Sequence, residues 1–144
     1  MHNLGLIGGT FDRFHAGHKK LIDNALEKCK TIEIWILSDE IASKNNPLTM
    51  KWEDRKEDII SNLGKDLINK IKFGTLENEF GPAPSHPDAT AIICTAETAD
   101  MCVEINKMRR EEKLDELEII IVEHENAWDG RPISSTRIRN GEIN

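Results

Sequence analysis

The sequence lacks long apolar runs: none approaches the roughly 20 residues that a membrane-spanning helix needs. Residues 1–9 also lack the basic segment and the cleavage site of a signal peptide. Cysteine is scarce, with Cys29, Cys94 and Cys102 widely spaced and without a CxxC pair, which favours reduced, mostly buried thiols over a disulfide framework. These absences predict a cytoplasmic protein with no membrane partner.

Positive charge is scarce as well: the sequence has 19 Lys and Arg residues but 26 Asp and Glu residues, which gives a formal net charge of -7. Proteins that bind nucleic acids neutralise phosphates with a basic surface, so this balance argues against a nucleic-acid partner. A small phosphate-bearing ligand held by a few local cations stays possible. The length of 144 residues predicts a single domain over residues 1–144, and either a monomer or a small homo-oligomer fits it.

Apolar segments alternate with amphipathic helical segments along the chain. Strands are predicted at residues 1–7, 31–38, 71–76, 89–96 and 117–123. The polar segment 39–50, with its Asn-Pro break, is predicted as a loop, and Gly64 is expected to divide the helical segment 51–71. This alternation predicts an α/β fold: a Rossmann-like, doubly wound, five-stranded parallel sheet with helices on both faces.

Ligands of such sheets bind outside the carboxyl ends of the strands, where the segment GGTFDRFHAGH follows the first predicted strand. Gly8 and Gly9 allow a close approach of backbone to a ligand, and Thr10 adds a hydroxyl. His15 and His18 surround the start of a helix, which favours anions through its free N–H groups. The segment matches neither G-x-G-x-x-G nor a P-loop, so a hydride-transfer or P-loop enzyme is disfavoured.

Other interpretations of this segment stay open. The glycine pair fits a plain tight turn, and the histidines fit surface residues without a ligand. A His-x-x-His pair on one helical face could also bind zinc, but no cysteine lies nearby and Asp12 is the only local carboxylate. Gly17, between the histidines, has no side chain, which is expected to leave room for a bulky group at this point.

A second group of residues stands near the end of the sequence, in DGRPISSTRIR at residues 129–139. Ser134, Ser135 and Thr136 open a predicted helix with hydroxyls and free backbone amides, and the neighbouring arginines add positive charge. The combination suits a polyphosphate. A capped helix with solvated arginines is the alternative.

Two motifs carry a resemblance to a known superfamily. HAGH at residues 15–18 and ISSTRIR at residues 133–139 resemble the His/Thr-x-Gly-His and ISSTxxR motifs of the nucleotidyltransferases. GGTFDRFHAGHKKLI, FGPAPSHPDA, CTAET, EINKMRREEKL and DGRPISSTRIRNGEI further resemble the archaeal and eukaryotic phosphopantetheine adenylyltransferases. Two positions depart from that family: Lys113 stands where a glycine is expected, and residues 95–98 read Thr-Ala-Glu-Thr where the usual turn resembles Ser-Pro-Glu-Thr.

The resemblance implies transfer of AMP from ATP to 4'-phosphopantetheine, which gives dephospho-coenzyme A and pyrophosphate. Magnesium would be bound through the ATP phosphates, with no metal site in the protein. Another enzyme of the superfamily, a cytidylyltransferase or an FAD synthetase, carries the same two motifs, although FGPAPSHPD and EINKMRR favour the pantetheine branch. A non-catalytic nucleotide sensor is a more distant alternative.

The resemblance also implies roles for individual residues. His18 would donate to the α-phosphate, His15 would hold neighbouring oxygens, and Lys44 would join them as a catalytic cation. Phosphopantetheine would contact Thr10, Lys44 and Arg55. The expected ATP contacts are Gly8, Gly9, Thr10, Phe11, His15, Gly17, His18, Asn106, Arg109, Ser134, Ser135, Thr136 and Arg137.

Overall fold

The computed structural model describes residues 1–122, which form a five-stranded parallel sheet with helices on both faces. The strands are β1 His2–Gly9, β2 Cys29–Leu37, β3 Ile71–Leu76, β4 Ala91–Cys94 and β5 Glu118–Ile121. The helices are α1 Ala16–Lys28, α2 Asp39–Asn45, α3 Trp52–Ser61, α4 Lys65–Ile68 and α5 Ala99–Glu111, with a 3₁₀ turn at Ala96–Thr98. The predicted fold class is confirmed.

The order of the strands is β3-β2-β1-β4-β5. The chain runs outward from β1 through β2 to β3 and then crosses back, so that β4 lies on the other side of β1. Strand order therefore reverses between β1 and β4, and in open parallel sheets the ligand crevice lies above such a reversal. The segments that follow these two strands begin at Thr10 and Thr95.

Two apolar layers hold the helices to the sheet. On one face α1 and α3 bury aliphatic side chains against β2, including the fully buried Ile22, Ile34 and Ile59. On the other face α5 buries Ile105 against Leu6 and other residues of β1 and β4. Each such side chain contributes about 1.5–3 kcal/mol when fully buried, so the two layers fix the sheet that carries the crevice.

Two sequence predictions need correction. Strand β1 extends to Gly9, and Gly8 and Gly9 pair with Trp35 and Ile36 of β2, so the glycine pair ends a strand and is not itself the turn. The segment 39–50 is not all loop, because α2 occupies its first half, capped by the Ser38 hydroxyl, which accepts the N–H of Ile41 at 3.3 Å. The exposed, polar α2 lacks the apolar periodicity on which helix prediction depends.

Two further predictions about the course of the chain are confirmed within the described residues. Gly64 separates α3 from α4, as expected. Residues 77–88 contain neither helix nor strand. No helix within residues 1–122 has the length and apolar character to cross a membrane.

Candidate active site

The turn between β1 and α1 adopts an unusual backbone conformation. Phe11 and Arg13 have φ angles of 55° and 50°, in the left-handed region that residues other than glycine seldom adopt. The buried Asp12 carboxylate holds the turn from both sides: Oδ1 accepts the N–H of Met50 at 2.8 Å, and Oδ2 accepts from Arg13 Nη1 at 2.7 Å. Strain that is over-determined in this way is typical of functional sites.

Two histidines cap the start of α1. His15 is the N-cap, and its Nδ1 accepts the N–H of Gly17 at 3.1 Å. His18 Nδ1 accepts the N–H of His15 at 3.3 Å, which completes a reciprocal capping box. An imidazole nitrogen that accepts a hydrogen bond carries no proton, so each neutral ring carries its hydrogen on Nε2. The cap therefore leaves two Nε2–H donors for a ligand.

Both histidines are held in the neutral form. Burial lowers the pKa of His15 to about 4. Burial, together with repulsion by His15 and against the attraction of Asp12, lowers the pKa of His18 to about 3. The rings stack with centroids 3.7 Å apart, where two imidazolium cations would repel each other. At neutral pH the pair offers hydrogen-bond donors and no net charge.

Gly17 makes the histidine cap possible. A Cβ at this position would lie 2.9 Å from His15 Cε1 and 3.1 Å from His15 Nδ1. The bulky group for which Gly17 leaves room is therefore the capping ring of His15. The contact explains the glycine between the two histidines in structural terms.

Arg55 does not lie where the prediction of a substrate contact requires. Its side chain is fully buried, and Nε donates to the carbonyl of Met50 at 2.9 Å. Nη1 donates to the carbonyl of Thr10 at 2.8 Å, and Nη2 donates to Asp39 Oδ1 at 2.9 Å. All three nitrogens are engaged with protein acceptors, so Arg55 positions Thr10 and the start of α2.

Asn106 and Arg109 also differ from the prediction that they contact ATP. Both are buried, and the Asn106 amide exchanges two hydrogen bonds with the backbone of Leu117, at 2.9 and 2.7 Å. Arg109 Nη1 donates to the carbonyls of Ala83 and His86, each at 2.9 Å. The two residues thus brace the start of β5 and the segment 77–88, because their polar groups are hydrogen-bonded to the backbone there.

Lys44 lies in the last turn of α2, with 74% of its side chain exposed and its Nζ 3.7 Å from Glu40 Oε1. It is therefore part of a helix and not of a loop. It is not among the residues that line the cavity described below. Its proposed contact with phosphate stays a prediction.

An apolar cavity of about 270 Å³ opens beside the β1–α1 turn, on the sheet face that α5 covers. Gly8, Gly9 and Thr10 are among the residues that line it. Large side chains form its walls: Trp35, Leu37, Leu76, Phe80 and Met101. These residues were not predicted from the sequence, because only the fold brings them to one chamber.

The wall of this cavity is braced by polar contacts. The Trp35 ring packs over Gly74, where a Cβ would lie 2.6 Å from ring carbons. Trp35 Nε1 donates to Glu33 Oε1 at 3.0 Å, and His86 Nε2 lies 3.1 Å from the same oxygen. His86 Nδ1 accepts the N–H of Asp88 at 3.1 Å, so its Nε2 carries the hydrogen for Glu33. Glu33 thereby ties the segment 77–88 to the sheet.

Residues 1–122 contain no group of three or more His, Cys, Asp and Glu side chains that could hold a metal ion. The Asp12 carboxylate is engaged with Arg13 and Met50. The second predicted phosphate-binding group, Ser134, Ser135, Thr136 and Arg137, lies outside the described residues.

Comparison with known proteins agrees with this geometry. A family model described as cytidylyltransferase-like matches residues 6–141. The phosphopantetheine adenylyltransferase of Methanothermobacter thermautotrophicus is 36% identical over 146 residues, which cover 99% of this chain and 86% of that protein. The protein of the same name from Methanosarcina barkeri is 37% identical over 141 residues, covering 95% of this chain and 86% of the relative.

A solved structure of a protein of unknown function from Archaeoglobus fulgidus superposes with a TM-score of 0.72 and 25% identity, over 92% of this chain and 99% of that one. The match supports the doubly wound fold independently of the motifs. The family model and the full-length relatives include both the histidine cap and the sheet above which it stands. The chain belongs to the cytidylyltransferase-like family, in the branch of the archaeal phosphopantetheine adenylyltransferases.

Proposed function

We propose that the protein transfers AMP from ATP to 4'-phosphopantetheine, forming dephospho-coenzyme A and pyrophosphate in coenzyme A biosynthesis. The relatives that share its whole length carry the name of this activity. The structural observation that carries the proposal is the pair of neutral histidines at the start of α1, with both Nε2–H groups free of the cap. Such donors suit a triphosphate. We expect the enzyme to act in the cytoplasm.

The chemistry of phosphopantetheine, the substrate that accepts AMP, explains why hydrogen-bond donors are sufficient for catalysis and no general base is needed. The attacking group is a phosphate monoester with a second pKa of about 6, so most of it is dianionic at neutral pH and needs no general base. The enzyme must hold two polyanions in line and stabilise the charge that develops on the α-phosphate. His18 donates to the α-phosphate and His15 to neighbouring oxygens, and their low pKa values keep them from acting as bases.

The site divides between the two substrates. The ATP phosphates lie at the start of α1, close to Gly8, Gly9 and Phe11, and the Ser134 to Arg137 segment receives the β- and γ-phosphates. Magnesium would be bound through the ATP phosphates, where it would neutralise part of their negative charge. The phosphate of phosphopantetheine binds at Thr10, which Arg55 fixes through its carbonyl, and the Lys44 side chain reaches it from α2.

The apolar cavity receives the pantetheine arm. Thr10 is one of the residues that line the cavity, so a phosphate bound there would place the rest of the molecule beside the chamber. The arm carries no charge, and walls such as Trp35, Leu76 and Phe80 suit its carbon chain.

A pyrophosphate-release assay tests the proposal. ATP and CTP are each combined with phosphopantetheine, glycerol 3-phosphate, phosphocholine and FMN, in the presence of magnesium. We expect release only with ATP and phosphopantetheine, and dephospho-coenzyme A as the second product. Activity only with CTP would identify a cytidylyltransferase, and ATP-dependent activity only with FMN an FAD synthetase. ATP binding without release for any acceptor would identify a nucleotide sensor.

A further inference from the structure

Glu33 is a largely buried carboxylate in the middle of β2, where only 16% of its side chain is exposed. Its neighbours Ile32 and Ile34 pack into the apolar layer of α1 and α3. Because side chains alternate along a strand, Glu33 lies on the opposite face of the sheet, as does Trp35. Burial of a carboxylate costs free energy unless hydrogen bonds replace its water. The partners of Glu33 therefore indicate its role.

These partners belong to two different parts of the cavity lining. Trp35 Nε1 donates to Glu33 Oε1 at 3.0 Å, and Trp35 itself lines the cavity. His86 Nε2 lies 3.1 Å from Oε1 and 3.2 Å from Oε2 of the same carboxylate. His86 belongs to the segment 77–88, which carries the lining residue Phe80. One carboxylate thus joins the wall on β2 to the wall that the segment 77–88 forms.

We propose that Glu33 is a positioning residue for phosphopantetheine: it holds Trp35 and the segment 77–88 at the separation that admits the pantetheine arm. The inference rests on the proposed function, because the arm is the ligand assigned to this cavity. Glu33 does not itself line the cavity, so it acts through the two side chains that it binds. The affinity for phosphopantetheine therefore depends on a residue outside the binding site.

Two contacts set the orientation of the Trp35 ring. On one side the ring packs over Gly74, where a Cβ would lie 2.6 Å from Cε3 and Cζ3 of the ring. At the edge of the ring, the Nε1–H donates to Glu33. Apolar packing alone would tolerate a flipped ring of the same volume, whereas the single indole N–H bonds to Glu33 in one orientation only. Glu33 thereby fixes this wall of the cavity.

Backbone and side chain of His86 hold it between α5 and β2. Its carbonyl accepts from Arg109 Nη1 at 2.9 Å, and its Nε2 reaches Glu33. Its Nδ1 accepts the N–H groups of Asp88 and Ala89 at 3.1 and 3.2 Å. The two ring nitrogens therefore have separate tasks, since one caps the following turn and the other makes the link to Glu33.

Two substitutions of His86 separate these tasks. Asn keeps an acceptor near the place of Nδ1 but is too short to reach Glu33, whereas Gln keeps an N–H donor near the place of Nε2 but loses the cap. We expect His86→Asn to raise the KM for phosphopantetheine by about tenfold, the order of one hydrogen bond to a charged group, with kcat and the KM for ATP nearly unchanged. His86→Gln should keep the KM values of the unmodified chain.

A double-mutant cycle tests whether the effect passes through Glu33. Glu33→Gln turns an amide NH₂ towards one of the two donors, so it should raise the same KM to a similar extent. The double variant Glu33→Gln/His86→Asn should be no worse than the more affected single variant, and multiplied effects would contradict a shared link. Glu33→Gln leaves the His86 turn intact, so it measures the effect even where His86→Asn does not fold. Asp23→Asn, which removes an exposed ion pair with Lys19, is the control and should change neither KM.

Hydrogen exchange of the amides in residues 77–85, followed by mass spectrometry, measures the link without turnover. We expect faster exchange in His86→Asn than in the unmodified chain and in Asp23→Asn. Unchanged exchange, or faster exchange with an unchanged KM for phosphopantetheine, would overturn the role of Glu33 alone. An unmodified chain that gives no turnover with phosphopantetheine would overturn the proposed function and this role together.

Discussion

The two histidines of the β1–α1 turn perform a structural task with one nitrogen and leave the other for chemistry. Each Nδ1 accepts a backbone N–H of the helix start, so each hydrogen lies on Nε2. The cap fixes the tautomer and the orientation of both rings before any ligand binds. Preorganised donors of this kind stabilise developing charge without further rearrangement.

The lowered pKa values of these histidines predict a pH dependence of folding. In the unfolded chain both have pKa values near 6.5, whereas in the fold His15 has about 4 and His18 about 3. As the pH falls below about 6.5, the unfolded chain takes up protons that the fold does not, so stability is complete above this pH and decreases below it. Between pH 7 and pH 5 the loss from His18 is about 2 kcal/mol, and the more exposed His15 adds less.

Urea unfolding of the double variant His15→Asn/His18→Gln isolates this effect. Asn at the N-cap and Gln at the third helical position keep the side-chain acceptors but do not titrate. We expect the free energy of unfolding to fall less between pH 7 and pH 5 than in the unmodified chain, by more than about 2 kcal/mol, since the loss from His15 adds to that from His18. Equal losses would show that the histidines are not buried as neutral groups.

At the level of elements, the end of α5 explains a departure from the family pattern. Lys113 stands where a glycine is expected, and its φ of 62° is left-handed. Lys113 N–H donates to the carbonyl of Arg110 at 3.0 Å, and Leu114 N–H to that of Arg109 at 2.8 Å, which is the pattern of a Schellman motif. The conformation of the expected glycine is thus retained with a lysine in place.

The left-handed lysine predicts a stabilising substitution. Lys113→Gly should raise the free energy of unfolding by about 0.5–1 kcal/mol, because a left-handed residue with a Cβ costs about 1–2 kcal/mol and glycine loses part of this gain to its unfolded freedom. Chemical denaturation measures the change. The same substitution at the exposed Lys107 in mid-helix is the matched control and should cost about 1 kcal/mol. A loss of stability for Lys113→Gly would contradict the assigned conformation.

Arg109 joins α5 to the segment that lines the cavity. Arg109→Lys removes the planar fork that serves the carbonyls of Ala83 and His86, so we expect a loss of about 2–3 kcal/mol in stability. We also expect the KM for phosphopantetheine to rise more than the KM for ATP, since Phe80, Pro82 and Ala83 line the cavity.

The neighbouring Arg110→Lys is the control for this prediction. Arg110 is exposed and pairs with Glu116 at the surface, so its substitution should change stability by less than about 0.5 kcal/mol. If Arg109→Lys lowered the free energy of unfolding as little as the control does, the hydrogen bonds of Arg109 would not be what holds the segment 77–88 in place. If it raised only the KM for ATP, the original prediction of a nucleotide contact would be correct.

At the level of the whole molecule, apolar runs alternating with helical segments were sufficient to predict all five strands and their parallel direction, because each run must be buried between helices. The order of the strands was not predicted. The exposed α2 was missed, since its polar sequence carries no such signal. The burial of individual arginine side chains was not predictable from the sequence. Arg55 stands between Asp54 and Lys56 in a charged helix, and only the tertiary fold shows that its side chain is buried. The histidine pair was predicted as a donor site from its motif, but its role as a helix cap needed the coordinates.

The most direct test of the account is the turnover of His18→Ala with ATP and phosphopantetheine. Removing one donor to a developing charge lowers kcat about 100- to 1000-fold, while the Kd for ATP should change little, because the ground-state phosphates keep their other contacts. His2→Ala, at the opposite end of β1, is the control and should keep the turnover of the unmodified chain. Urea unfolding at the assay temperature checks that both variants are folded. Near-normal kcat in His18→Ala, or a loss confined to ATP affinity, would contradict the central claim that a neutral imidazole stabilises the transition state.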